Sequence, residues 1–150
     1  MIQQTGMGPA CADFAEHHDQ LIKEYVEPGK VRFVFFDMPL RQHRNAVPAA
    51  KAARCAEDQD AWKPMHDRLF ARQDDWSDAA NPVPIFTEYA GALGLDERTF
   101  QRCMGLDRTE KKLEESRNLA RDLRVTSTPT VLVDNIPLTR NSWAQLQAVL

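Results

Sequence analysis

Val31-Arg32-Phe33-Val34-Phe35-Phe36 is the stretch on which the reading of the fold turns. It is β-branched and aromatic, and nearly continuous rather than alternating. That pattern predicts a strand covered on both faces, as in a parallel or mixed α/β sheet. Upstream, Phe14, Leu21, Ile22, Tyr25 and Val26 recur at helical spacing within residues 10–26, and Pro9 suits a first turn. Glu27-Pro28-Gly29-Lys30 forces a turn between this helix and the strand.

Downstream the texture becomes helical. Asn45 is placed to cap a helix carrying Ala49, Ala50, Ala53 and Ala56, with Pro48 in its first turn. A second helix has Trp62, Met65, Leu69 and Phe70 on one side. A third starts at Asn81-Pro82, carries Ile85, Phe86, Tyr89, Ala90 and Leu93, and ends at Gly94. Asp96 is an N-cap for a short helix with Phe100, Cys103 and Met104. Asp107 opens a longer one that turns Leu113, Ala120 and Leu123 toward the core. Thr130-Val131-Leu132-Val133 then predicts a short buried strand. Asp134-Asn135 is its turn, and residues 136–139 pair back as a hairpin arm. Asn141 or Ser142 caps a last helix with Trp143, Leu146 and Val149. The order is helix, strand, helical block, strand, hairpin strand, helix, with no internal repeat or linker.

The chain has 150 residues, which suits one domain with a core of its own. Hydrophobic residues at 43% and charged residues at 27% are ordinary globular usage and exclude a disordered chain. A net charge of −3 gives no electrostatic footprint for nucleic acid. No apolar run approaches the ~20 residues that cross a bilayer, so no membrane span is expected. The start, MIQQTGMGPAC, has neither the basic nor the apolar region of a signal peptide. Either the protein stays inside the cell or the sequence lacks its natural N-terminus.

Three cysteines, Cys11, Cys55 and Cys103, allow at most one intramolecular bridge, and no C-x-x-C occurs. Cys11 alone reads as a small buried hydrophobe on a helix. Cys55 and Cys103 each lie on the apolar side of a helix, either as two unrelated thiols or as a bridged pair. His17, His18, His43 and His66 lack zinc spacings, so neither metal nor cofactor is expected, and His66 reads as a packing residue. The basic residues after Asp107 alternate with Glu110, Glu114 and Glu115, the pattern of a solvated face.

Several segments converge on one family. They are Gly8-Pro9-Ala10-Cys11 opening a helix, residues 29–35, residues 45–50 through Ala53-Arg54-Cys55-Ala56, and Met65-His66-Asp67-Arg68-Leu69-Phe70. Leu93-Gly94-Leu95-Asp96 with Phe100 and Cys103 follows, and then Val125-Thr126-Ser127-Thr128-Pro129-Thr130. In this order the chain resembles the DsbA-like thiol-disulfide oxidoreductases. The resemblance implies an α/β fold, thioredoxin-like with an inserted helical subdomain, in a single domain over residues 1–150. The insertion would span about residues 40–124.

The family's chemistry lives in a C-P-x-C motif at a helix N-terminus, where the dipole and free N–H groups favour a thiolate. Its first cysteine is the nucleophile and its second resolves the mixed disulfide. Here Gly8 stands at the nucleophile position and Cys11 at the resolving one. Thr128 and Pro129 match the cis-proline loop that receives substrate, and the resemblance favours a structural bridge between Cys55 and Cys103. The implied partners are cysteine-containing polypeptides and a redox partner protein, in the periplasm or cell envelope. A dithiol cycle needs two sulfurs in reach, and this motif supplies one. The reading is a protein-disulfide oxidoreductase by descent, impaired because Gly8 replaces the nucleophilic cysteine. Its alternatives are a non-catalytic polypeptide-binding module and a glutathione-using relative of the same superfamily. The fold also requires a strand before the first helix. The polar residues 1–7 suit it poorly, so either the sheet is incomplete or the chain is a piece whose start was lost.

Overall fold

The computed structural model describes Cys11 and residues 14–134, 136–140 and 142–150. The expected strand at Val31–Phe36 is the first departure. Residues 31–40 carry no regular secondary structure, and the sheet among the described residues has two strands, neither of them here. A cleft of about 520 Å³ separates the segment from the C-terminal hairpin, with Val31, Arg32 and Val34 on one side and Leu132, Val133 and Asp134 on the other. A strand exists through its ladder, so β-branched composition without a hydrogen-bonded neighbour does not make one. The aromatic side chains are still half-buried: Phe33 packs on an apolar cluster with Phe14 and Leu21, and Phe35 lies 4.6 Å from Trp62, ring centre to ring centre.

The helices follow the sequence closely. α1 (His18–Leu21) runs into a π turn over Ile22–Val26. α2 covers Ala46–Glu57, α3 Trp62–Ala71, α4 Gln73–Trp76, α5 Val83–Ala92, α6 Glu97–Met104 and α7 Asp107–Asp122. β1 (Leu132–Val133) pairs antiparallel with β2 (Ile136–Pro137), Leu132 opposite Pro137 and Val133 opposite Ile136. α8 (Trp143–Val149) closes the chain, its N-terminus capped by Ser142, whose hydroxyl accepts from the Gln145 N–H at 3.3 Å. The alternative cap, Asn141, and the turn residue Asn135 lie outside the described residues. Asp96 caps α6 by accepting from the Thr99 N–H at 2.6 Å. Gly94, at φ +76°, ends the α5 segment in the left-handed region that favours glycine.

Two expectations fail in instructive ways. Asn45 precedes α2, but its side chain makes no cap. Instead the buried amide donates to the carbonyls of Trp76 at 2.7 Å, Ser77 at 3.1 Å and Ala79 at 2.9 Å. The first two are carbonyls that the end of α4 leaves without intrahelical partners, and the third follows just beyond it. Leu123 is 41% exposed rather than in the core, because α7 ends at Asp122 and the chain turns through Arg124 at φ +54°. Val149, in the last turn of α8, is 51% exposed.

The buried side chains form two clusters. One fills the helical block: Ala49, Ala52, Ala53 and Ala56 of α2 face Met65, Leu69, Phe86 and Phe100. The alanine face lets the neighbouring helices approach closely. Full burial of Phe86 and Phe100 stabilises the block by roughly 1.5–3 kcal/mol each. Cys55 and Cys103 lie within this cluster and are joined by a disulfide, with Cα atoms 5.6 Å apart. The second cluster packs Phe14 and Leu21 against Val131, Leu138 and Leu146, with Tyr25, Phe33, Val133 and Trp143 at its edge. Among the described residues no helix is long and apolar enough to cross a membrane.

Candidate active site

Cys11 is helical and fully buried, at the head of the segment that places Phe14 and Leu21 in the second cluster. The element opposite is the loop that leaves α7. Its geometry is local: the Val125 N–H donates to the Ala120 carbonyl at 2.8 Å, and the Thr130 hydroxyl donates to the Ser127 carbonyl at 2.6 Å. Between these two ties the Thr128–Pro129 peptide bond is cis. Thr128 is half-buried and Pro129 buried. A side-chain hydrogen bond joins Thr128 to Cys11, so the helical segment at Cys11 and this loop meet at that contact.

Burial pushes the Cys11 thiol above its ordinary value, and the Thr128 hydrogen bond opposes this only in part. The thiolate is the reactive form of a cysteine, and burial disfavours that form at Cys11. Gly8, at the expected nucleophile position, lies outside the described residues. Cys55 and Cys103 belong to the other apolar cluster and contribute no thiol to this loop.

A second constellation sits beside the first helix. His18 and His66 are both buried, with rings stacked 5.0 Å apart at 27°. Phe14, Phe33, Phe35, Trp62 and Phe70 pack around them. His66 Nδ1 lies 3.2 Å from a carboxylate oxygen of Asp67. Lys63 spans Asp67 at 2.6 Å and Asp19 at 2.5 Å. One ligand atom from each of His18, His66 and Asp67 falls within 4.8 Å of the others, the only such candidate for a metal ion among the described residues. The Lys63 ammonium already supplies the cation that the carboxylate needs. Burial, and then the neighbouring His66, lowers the His18 pKa to about 3, which keeps that ring neutral.

His66 is the packing residue that its sequence implies, but its pairing with His18 was not legible. The only available signal is the adjacent His66-Asp67, and the partner comes from a helix distant in sequence. His17 also has a role the sequence hides: it stacks on Trp143 at 5.2 Å and ties the first helix to α8.

The comparisons agree with this architecture. The family model described as Thioredoxin matches residues 8–150. A Rickettsia typhi protein provisionally named a protein-disulfide oxidoreductase is 22% identical over 133 residues, which is 85% of this chain and 48% of that protein. The chain thus spans about half the length of the curated relatives it matches. A stretch of a Salinispora tropica protein named Na(+)/H(+) antiporter NhaA 3 is 31% identical over 127 residues, 84% of this chain but 18% of that protein. Among solved structures, DsbA of Chlamydia trachomatis superposes with a TM-score of 0.82 at 17% identity, over 99% of this chain and 81% of that one. With a thioredoxin-like fold, a helical block between its two halves, and a Thr128–Pro129 loop set against the helical segment that bears Cys11, this chain belongs to the thioredoxin family.

Proposed function

We propose that the protein handles cysteine-containing polypeptides at the Thr128–Pro129 loop, as a disulfide oxidoreductase by descent that does not turn over as a dithiol oxidase. The observation that carries this reading is the state of Cys11: fully buried, its thiol pushed up by burial and held by Thr128. Gly8 at the nucleophile position removes the second sulfur that a dithiol cycle requires. What remains is a loop against a helix, which recognises chain without exchanging electrons. The single domain over residues 1–150, its helical insertion at about 40–124 and an envelope location belong to the same proposal, as does any redox partner protein.

The polypeptide-binding reading is favoured over glutathione use, because a buried neutral thiol has no means to form a mixed disulfide with a small soluble thiol. The test is insulin reduction, together with oxidation of a reduced two-cysteine peptide. We expect neither to exceed the rate without protein, while an unfolded reduced polypeptide binds equally to the wild type and to Cys11→Ser. Turnover comparable to an intact DsbA, abolished by Cys11→Ser, overturns the reading. Saturable glutathione binding would favour the glutathione-using alternative.

A further inference from the structure

A half-open cleft of about 420 Å³ runs along α7, with Val47 of α2 and Leu113 as its apolar lining. Arg41, Arg117 and Arg121 line it, together with Glu110 and Glu114. The charges do not cancel. Glu110 is already paired with Lys51 at 3.1 Å. Among the described residues Arg41, Arg117 and Arg121 have no carboxylate within ion-pair distance. Three guanidinium groups around an apolar patch therefore face a single unpaired acid, Glu114. Elsewhere the chain is net negative, so this concentration is local. Arginine's planar fork matches a carboxylate, often through two parallel hydrogen bonds.

The position matters as much as the charge. Arg121 sits in the last turn of α7, and the chain leaving α7 runs directly into the loop whose Thr128 touches Cys11. We infer that this cleft is an acidic-peptide subsite: it takes aspartate or glutamate side chains of a polypeptide that lies across the Thr128–Pro129 loop. This rests on the polypeptide-binding reading above and adds to it a preference in substrate sequence. Val47 and Leu113 would receive the apolar part of the same segment, which a free inorganic anion lacks.

The test uses fluorescence anisotropy with two labelled peptides of equal length, each with serine in place of cysteine so that no chemistry intervenes. One carries glutamates beside that serine and the other glutamines. The wild type should bind the glutamate peptide about tenfold more tightly at low salt, as one good charge-assisted contact provides. That preference should shrink with added salt as screening sets in. Arg117→Glu/Arg121→Glu should abolish it, and Arg98→Glu/Arg102→Glu on α6, with the same charge change, should retain it. All four arginines are exposed, so the fold tolerates both variants. Equal binding of the two peptides overturns the subsite and leaves the polypeptide-binding reading standing. Equal loss of preference in both variants also overturns it, since net charge alone would then explain the effect. Failure of both peptides to bind the wild type overturns both readings.

Discussion

The imidazole of His18 stacks on that of His66, ring centres 5.0 Å apart, although one belongs to the first helix and the other to α3. Both are buried in an aromatic shell, and the charged groups nearest the pair are Asp19, Lys63 and Asp67. Two adjacent imidazoles in a low-dielectric setting cannot both charge without a large cost. The stack holds α1 to the helical block, and burial keeps the His18 ring neutral.

This gives a pH dependence with a definite sign. The folded pKa of His18 is about 3, below the 6.5 of an unconstrained histidine. Between those values the unfolded chain binds more protons, so stability rises with pH across that window and its full contribution is present above pH 6.5. From pH 7 to pH 4.5 this group alone should remove roughly 2–3 kcal/mol. Urea unfolding of the wild type and of His18→Phe at the two pH values measures the difference. The variant should lose less on acidification, and identical losses would refute the assignment.

Asn45 predicts a cost unrelated to capping. Its amide donates to three main-chain carbonyls at and just beyond the end of α4, and Asn45→Ala removes all three bonds, leaving the Trp76 carbonyl only the Ala79 N–H. The expected loss is about 2–3 kcal/mol of unfolding free energy, read from the urea midpoint. A loss under about 0.5 kcal/mol, ordinary for a surface site, would show that water replaces the amide.

The bridge between Cys55 and Cys103 closes a loop with a sequence separation of 48. By the chain-entropy model such a loop contributes about 4 kcal/mol, an upper-end figure. Cys55→Ala/Cys103→Ala should lower the melting temperature by on the order of 10 °C. Thiol counting on the oxidised, unfolded wild type should find one free sulfhydryl, at Cys11, and three would exclude the bridge.

Gly8→Cys tests the reading of the active site. If Gly8 holds the nucleophile position, the introduced thiol should bridge to Cys11 on oxidation. The unfolded, oxidised variant should then show no free sulfhydryl, and some thiol-oxidase activity should return. Two unreacted thiols after oxidation would mean that Gly8 and Cys11 are not aligned as proposed.

The local pattern in the chain was enough to determine most of the helices. Asp96, Gly94, Ser142 and the apolar spacings of α3, α5 and α6 act over a few residues, and a helix needs no distant partner for its hydrogen bonds. The short α4 carries no such signal, since its charged Gln73-Asp74-Asp75-Trp76 is held by Trp76, whose ring N–H donates to the Leu69 carbonyl at 2.9 Å. Val31–Phe36 shows the opposite limit. Its composition is a strand's, yet a strand requires backbone partners, and those are set by tertiary structure. The site divides in the same way. Cys11, Thr128 and Pro129 could be singled out in the sequence, but burial of the Cys11 thiol, which decides its chemistry, arises only when the first helix packs against the loop after α7. The His18–His66 stack and the arginines of the α7 cleft are likewise products of packing, because each joins residues from separate parts of the chain.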